Sequence, residues 1–362
     1  MQIINKLFRL EKVYIFFISF LLFIIIFSTT FLQANTFKVT DIQISSPFEL
    51  NFNKNSVIDD GFRTSFSNLL SMITTSGDKN KIQKISIKEI KSMIDSFTIS
   101  NEKFVNNEYS AKLETTFNKK KVLIFLERKG VFPSIPIKNK VLLVPIIVDT
   151  ETDNIYLFNN NIFYEKWNEI QKNYQLLEYL LPNEDIEDLN NIQKEFNSIE
   201  TYDFSNLIKK YDLKDYIIVI IYKNNQEIKI LSKINLNDSL KINNKKFVKL
   251  NLDNDEDFYK VLRSLKIIYE DEWKKSNEIN TSIKLPLTIS VDSKDYEKIL
   301  KLENTLNNFD LISEFYILKF DSQSIQYKII YNGSPKTFLN DMSNKDFDLV
   351  TENNIWRIKW KV

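Results

Sequence analysis

Apolar and polar positions along residues 36–136 recur first at strand spacing and then at helix spacing. Thr36 to Ile44 alternates with one slip, which predicts a strand and allows a bulge in it. An apolar stripe with helical spacing then predicts a long helix that stops before Gly77. Asn106-Asn107 supplies a turn between two later strands. The predicted order is β-α-α-β-β-α, with the stripe at Ile58, Phe62, Phe66, Leu69, Leu70 and Ile73, a short helix at 87–94, strands at 97–105 and 109–117, and a helix at 119–129.

Two continuous apolar runs dominate the next segment. Val141 to Val148 and Tyr216 to Tyr222 are typical of central strands buried on both faces. Pro145 has no N–H for a ladder, so we expect a strand end or a bulge at that position. A stripe from Phe258 to Trp273 predicts a closing helix. This alternation predicts a second α/β unit, with further helices at 161–172, after Pro182 and at 205–211, and further strands from 228 to about 250.

The last segment follows a polar linker, Lys274 to Ser282. Ser334 is placed to cap a helix, and Pro335 is placed at its first position. The order βαββαβ is the split arrangement of ferredoxin-like folds. The predicted strands lie at 283–291, 311–320, 324–331, 347–350 and 355–360, and the predicted helices at 293–306 and 335–342.

The fold class that follows is α/β (α+β), with three small α/β domains in series. Pro133 and Pro136 interrupt regular structure between the first two of them. The expected ranges are a leader at 1–35, an N-terminal α/β domain at 36–136, a middle α/β domain at 137–278 and a C-terminal ferredoxin-like domain at 279–362.

The leader contains a long apolar run without charges behind a basic flank. A positive flank stays on the cytoplasmic side, so the rest of the chain is expected to cross outward. Val13 to Ala34 is therefore either a signal peptide, cleaved after Ala34, or a retained membrane anchor. Both fates place the body in the periplasm, soluble after cleavage or tethered to the inner membrane through residues 13–34.

Composition excludes several kinds of chemistry. The chain has no His and no Cys, which excludes a Ser–His–Asp triad, thiol nucleophiles, disulfides and zinc–thiolate sites. Its four Gly are too far apart for a phosphate-binding Gly-rich loop. Lys+Arg 49 against Asp+Glu 48 gives no basic excess for nucleic acid. We therefore predict no cofactor, no nucleic-acid partner and no catalytic constellation.

One acidic segment is the best candidate for a metal site. Pro182 to Leu189 brings together Glu184, Asp185 and Asp188, whose hard oxygens could bind a divalent cation. The competing interpretation, which the pattern favours, is a helix start that Asn183 caps, with the acids beside its positive end.

Four short stretches carry a resemblance to a known family. FKVTDIQI, LLVPIIV ahead of Trp167, PNEDIED and the closing WRIKW resemble the proteobacterial envelope family called domain of unknown function 2066, in its longer alphaproteobacterial form. The chain departs from that pattern at Glu184, where the family tends to have Gly, and at Tyr156 and Asn160. The middle unit is also similar to the amino-terminal domains of TolB-like periplasmic proteins. The resemblance implies an envelope location and this architecture, and it does not bear on mechanism, because the family has no established activity.

Three function hypotheses follow. The leading one is a non-enzymatic periplasmic module that binds or scaffolds envelope proteins, with exposed sheet edges that pair with partner strands. The second is a carboxylate-dependent hydrolase or divalent-cation-binding protein that acts on envelope polymers. The third is a binder of soluble ligands, which needs a sizeable apolar pocket between domains.

Overall fold

In the part of the chain that the structure describes, three β-sheets follow one another, and helices cover their faces. The computed structural model describes residues 37–82, 84–172, 174–224, 227–279, 284–309, 311–352 and 355–360. The predicted leader, Val13 to Ala34, lies outside the described residues. Residues 38–362 form one compact unit. The prediction of an α/β (α+β) protein with serial sheets is confirmed.

The first sheet has the order β1-β3-β2. The slip predicted in the first strand is real, because Asp41 adopts a left-handed φ of 58° and the buried positions change phase there. Asn106 and Asn107 have φ values of 53° and 57°, the conformation of a tight hairpin turn. The elements are β1 (Phe37–Pro47), α1 (Lys54–Ile73), α2 (Lys79–Ile82), α3 (Ile87–Ser92), β2 (Ile94–Val105), β3 (Glu108–Phe117) and α4 (Lys119–Arg128).

The second sheet has the order β5-β4-β7-β8-β9, with β6 also paired to β4. Its central strands β4 and β7 run parallel and are buried on both faces, as their continuous apolar runs predict. One face packs against α8 and the other against α6 and α7. The elements are β4 (Asn139–Asp149), β5 (Asn154–Tyr156), α5 (Ile162–Lys166), β6 (Leu177–Leu180), α6 (Ile186–Gln193), α7 (Ser205–Lys209), β7 (Tyr216–Lys223), β8 (Glu227–Leu236), β9 (Ser239–Val248) and α8 (Asp255–Ser276).

Pro145 lies inside β4, so the expected strand end or bulge at this proline is wrong. β6 pairs with β4 before this residue and β5 pairs after it, which leaves a gap beside Pro145. The Pro145 carbonyl accepts a hydrogen bond at 2.9 Å from the buried side-chain amide of Asn161. The nitrogen and the carbonyl of a strand residue point the same way, so the missing N–H faces the gap and no ladder bond is lost.

Helix α8 connects several parts of the molecule. The Glu270 carboxylate accepts hydrogen bonds from the N–H groups of Leu176 and Leu177, where β6 begins. The Asp271 carboxylate accepts one at 2.9 Å from the N–H of Ser76, which follows α1. The indole N–H of Trp273 donates to the carbonyl of Ile137 at 2.8 Å. Side chains of α8 therefore attach the first sheet's helices and the start of the second sheet to one element.

The third sheet has the order β11-β12-β10-β14-β13. β12 lies antiparallel between β10 and β11, as in the split arrangement. A hairpin of β13 and β14 follows α10 in place of a single fourth strand, and β14 pairs parallel to β10. Ser334 caps the last helix and Pro335 occupies its first turn, as predicted. The elements are β10 (Leu285–Asp292), α9 (Tyr296–Asn307), β11 (Ile312–Phe320), β12 (Ser324–Tyr331), α10 (Pro335–Ser343), β13 (Phe347–Glu352) and β14 (Ile355–Trp360).

Candidate functional site

Each sheet ends in an edge strand that exposes large apolar side chains. These strands are β2, β9 and β11. An edge strand leaves a row of backbone N–H and C=O groups available to another chain. The exposed apolar residues are Phe97, Phe104 and Val105 on β2, Leu240, Ile242 and Val248 on β9, and Tyr316, Ile317, Leu318 and Phe320 on β11.

Only one of these three edges is regular. β2 and β11 each contain two register shifts against their neighbours. β9 pairs with β8 over ten consecutive positions, from Leu236↔Ser239 to Glu227↔Val248, without a shift. Bulges twist an edge away from further pairing. The geometry therefore favours β9 as the edge that can accept another strand.

The turn before β9 determines which of its backbone groups point outward. Asn237 and Asp238 both have positive φ, 52° and 58°, and form a two-residue hairpin loop. The residues that flank such a loop exchange both hydrogen bonds, so Ser239 and alternate residues after it bond to β8. The N–H and C=O groups that point to the open edge belong to Leu240, Ile242, Asn244, Lys246 and Val248.

The two faces of β9 differ in chemistry. Leu240, Ile242 and Val248 lie on the face away from α8, and Ile242 is 65% exposed. Lys241 and Lys245 lie on the other face, where Lys241 pairs with Glu272 on α8 at 2.7 Å. A third lysine, Lys246, lies on the apolar face and pairs with Glu227 of β8. The strand has no acidic residue. A complementary strand would be extended, with mainly apolar residues on the face of Leu240 and Ile242 and acidic residues on the face of Lys241 and Lys245.

The acidic candidates Glu184, Asp185 and Asp188 do not converge on an open site. Lys210 bonds to Asp185 at 2.8 Å and to Asp188 at 2.7 Å, and Glu184 is exposed. The hydrogen bond from Lys210, followed by two from backbone N–H groups, lowers the pKa of Asp185. Among the described residues no group of His, Cys, Asp and Glu side chains is arranged to hold a metal ion.

Asp185 is the cap of α6, and the predicted cap Asn183 lies two residues too early. The Asp185 side chain accepts the N–H groups of Glu187 and Asp188, which a helix start leaves without partners inside the helix. Asn183 uses its own N–H to donate to the Tyr211 hydroxyl instead. The carboxylate of Asp185 therefore acts in a helix cap and an ion pair.

Sequence reasoning missed a row of buried charges on α8. Lys266, Glu270 and Lys274 stand four residues apart and are 4%, 6% and 7% exposed. Burial lowers the pKa of Lys266 to about 8 and raises the pKa of Glu270, against the hydrogen bonds from Leu177 and Leu176. Their spacing, which keeps them on one side of the helix beside the apolar stripe, was the signal available in the sequence.

No family model matches the chain, and no curated protein matches it. Within the described residues, no helix combines the length and the apolar character needed to cross a membrane.

Proposed function

We propose that the protein is a non-enzymatic module of the cell envelope that binds a partner protein by adding the partner's strand to β9. The observation that supports this proposal is the ten-residue regular edge of β9, with three exposed apolar side chains on one face and Lys241 and Lys245 on the other. Backbone hydrogen bonds would supply affinity, and the alternating side chains would supply selectivity.

The envelope location rests on the sequence. Val13 to Ala34 has the properties of a signal peptide or an inner-membrane anchor, and either would deliver the body to the periplasm. The resemblance of FKVTDIQI, LLVPIIV, PNEDIED and WRIKW to the domain of unknown function 2066 family points to the same compartment and stays a prediction.

The hydrolase or cation-binding hypothesis receives no support from the candidate acids. Asp185 and Asp188 share Lys210, which neutralises part of the negative charge that a divalent cation would need. The interaction hypothesis is therefore the one that we carry forward.

A proline substitution on β9 tests the proposal. Asn244→Pro removes an outward N–H from the middle of the open edge and leaves the bonds to β8 in place. Because one buried partner bond is lost and its acceptor is left unpaired, we expect recovery of the partner from cross-linked envelopes to fall roughly tenfold. Asn244→Ala is the control and should recover as much partner as the unmodified protein. Equal recovery with the two variants, or no specific partner with either, would contradict the proposal.

Charge reversal tests the chemistry of the partner. Lys245→Glu places a like charge opposite the acidic face expected of the partner strand, which destabilises a cross-strand pair. We expect weaker co-purification with this variant. Lys319→Glu on β11 is the matched control, because it reverses an exposed lysine on a bulged edge. Weakening by Lys319→Glu and none by Lys245→Glu would assign the interaction to β11 instead.

A further inference from the structure

A small cleft lies where the end of α1 approaches α8 and the loop before β6. Its volume is about 130 Å³, and Ser71, Ser76, Tyr174 and Gln175 are among the residues that line it. At about 30 Å³ per water molecule, it has room for about four waters. It is far smaller than the sites of about 300–1,000 Å³ that hold drug-sized ligands. Only a small molecule or a single functional group fits.

Cations outnumber acids around this cleft. Lys79, Lys172 and Arg263 are exposed at its rim, and Lys266 and Lys274 are buried in its walls. The two acids, Glu270 and Asp271, already accept hydrogen bonds from Leu176, Leu177 and Ser76. Low surrounding dielectric and an excess of one sign of charge concentrate ions of the opposite sign in a cleft. The cleft is therefore suited to an anion.

The two buried lysines differ in their partners. Lys266 donates to the carbonyl of Ile170 at 2.6 Å, and its ammonium lies over the rings of Trp167 and Tyr179. Lys274 is 7% exposed as a whole residue, and no hydrogen bond or ion pair of the described residues engages its ammonium group. Its Nζ is not among the fully buried polar atoms that lack a partner, so what solvation it has comes from solvent in the cleft that it lines. A largely buried ammonium with no protein partner is less well solvated than one at an open surface, which is a cost. An anion in the cleft would remove that cost.

The direction in which the pKa of Lys274 is shifted agrees with this geometry. Burial lowers the pKa of Lys274, and the charge of Lys79 lowers it further, while Glu270 and Asp271 act in the opposite direction. Ser71 and Tyr174 also line the cleft, and their hydroxyls make no hydrogen bond with any described residue. Two neutral donors thus accompany the charged ones.

We propose that this cleft binds a small oxyanion, of the size of inorganic phosphate or a carboxylate group, with Lys274 as the buried ligand and Arg263 and Lys79 at the rim. The site is separate from β9 and does not depend on strand addition. Hydrogen bonds from an ammonium to an oxyanion are among the strong ones. Phosphate and acetate serve as the two probes, because they separate a phosphoryl ligand from a carboxylate ligand.

Calorimetric titration of the purified protein tests the site, with chloride at equal ionic strength as the reference. We expect saturable binding of phosphate or of acetate, weakened roughly tenfold or more by Lys274→Met. Lys275→Met is the matched control, because it removes the same charge from the next residue, which is exposed and paired with Glu272. It should leave the affinity unchanged.

Arg263→Gln provides a second test of the anion site, which can be used if Lys274→Met fails to fold. Arg263 is exposed, so its replacement should leave the fold intact and weaken binding roughly two- to fivefold. Absence of saturable binding for both anions would overturn the proposal. Equal losses with Lys274→Met and Lys275→Met would also overturn it, because they would show attraction by overall charge rather than by this cleft.

Discussion

At the scale of single residues, buried polar side chains hold the molecule together at points that hydrophobic patterns do not mark. The Asn161 side chain is fully buried, and its two amide hydrogens serve three carbonyls, those of Pro145, Tyr156 and Leu157, so one hydrogen is shared. Its oxygen accepts from the N–H groups of Phe163 and Tyr164. The sequence suggested a helix beginning near Asn161. It could not show that the same side chain also closes the gap beside Pro145, because that contact depends on the arrangement of β5 and β6.

Asn161→Leu should destabilise the protein strongly. The substitution keeps the approximate size of the side chain but leaves several buried backbone groups without partners, each costing about 1–3 kcal/mol. We expect the free energy of unfolding in urea to fall by at least about 3 kcal/mol. Asn191→Leu, at an exposed position of α6, is the control and should change it little. Similar losses for the two variants would contradict the role assigned to Asn161.

Lys266 should make stability depend on pH in the alkaline range. Its folded pKa of about 8 lies below the ordinary lysine value of 10.5, so between these values the unfolded chain binds a proton that the folded protein has released. Stability therefore rises with pH across this window, and the contribution is constant below it. Between pH 7 and 9.5 the gain should be about 2 kcal/mol.

The comparison with Lys266→Met isolates this effect from tyrosines that titrate above pH 10. The variant lacks the titrating group, so the unmodified protein should gain about 2 kcal/mol of unfolding free energy relative to it between pH 7 and 9.5. Urea unfolding of both proteins at the two pH values measures the difference. If the difference in unfolding free energy between the two proteins is the same at pH 7 and at pH 9.5, the pKa of Lys266 is not lowered in the folded protein.

At the scale of elements, the long periodic segments were predictable and the short ones were not. Strand β12 and helices α1 and α8 lie close to their predicted positions, because their apolar stripes extend over several turns or pairs. β5 and β6 have three and four residues, and they exist because each pairs with β4. Helix α5 ends at Lys166 rather than near 172, and the Asn168 side chain then donates to the carbonyl of Tyr179.

The position of Pro145 within β4 gives a prediction about that strand. Val144 and Pro145 point their backbone groups to opposite sides, so the N–H of Val144 faces β7. We expect Val144→Pro to cost about 1–3 kcal/mol, because it removes a central ladder bond and leaves a buried carbonyl of β7 without its donor. Pro145→Ala should cost less than about 1 kcal/mol. Thermal unfolding of both variants measures the contrast, and equal losses would contradict the orientation of β4.

At the scale of the whole molecule, the number of sheets could be predicted from the sequence patterns. The contacts that connect parts of the chain belonging to different sheets could not. The hydrogen bonds of Glu270, Asp271 and Trp273 join residues that are far apart in the chain. A local sequence pattern does not indicate which distant residue such a side chain will contact. The final hairpin also adds a strand to the split arrangement, since β14 inserts between β10 and β13. The domain ranges 36–136, 137–278 and 279–362 stay predictions.

Strand addition to β9 is the central claim, and site-specific photo-cross-linking in intact cells tests it most directly. A photoreactive residue at position 244 should yield a discrete adduct with one partner, and Ile242→Pro in the same chain should abolish that adduct by removing an adjacent outward N–H. The same photoreactive residue at position 336, exposed on α10, should yield no such adduct. An adduct at 244 that survives Ile242→Pro, an identical adduct from 336, or no adduct at 244 would contradict the account.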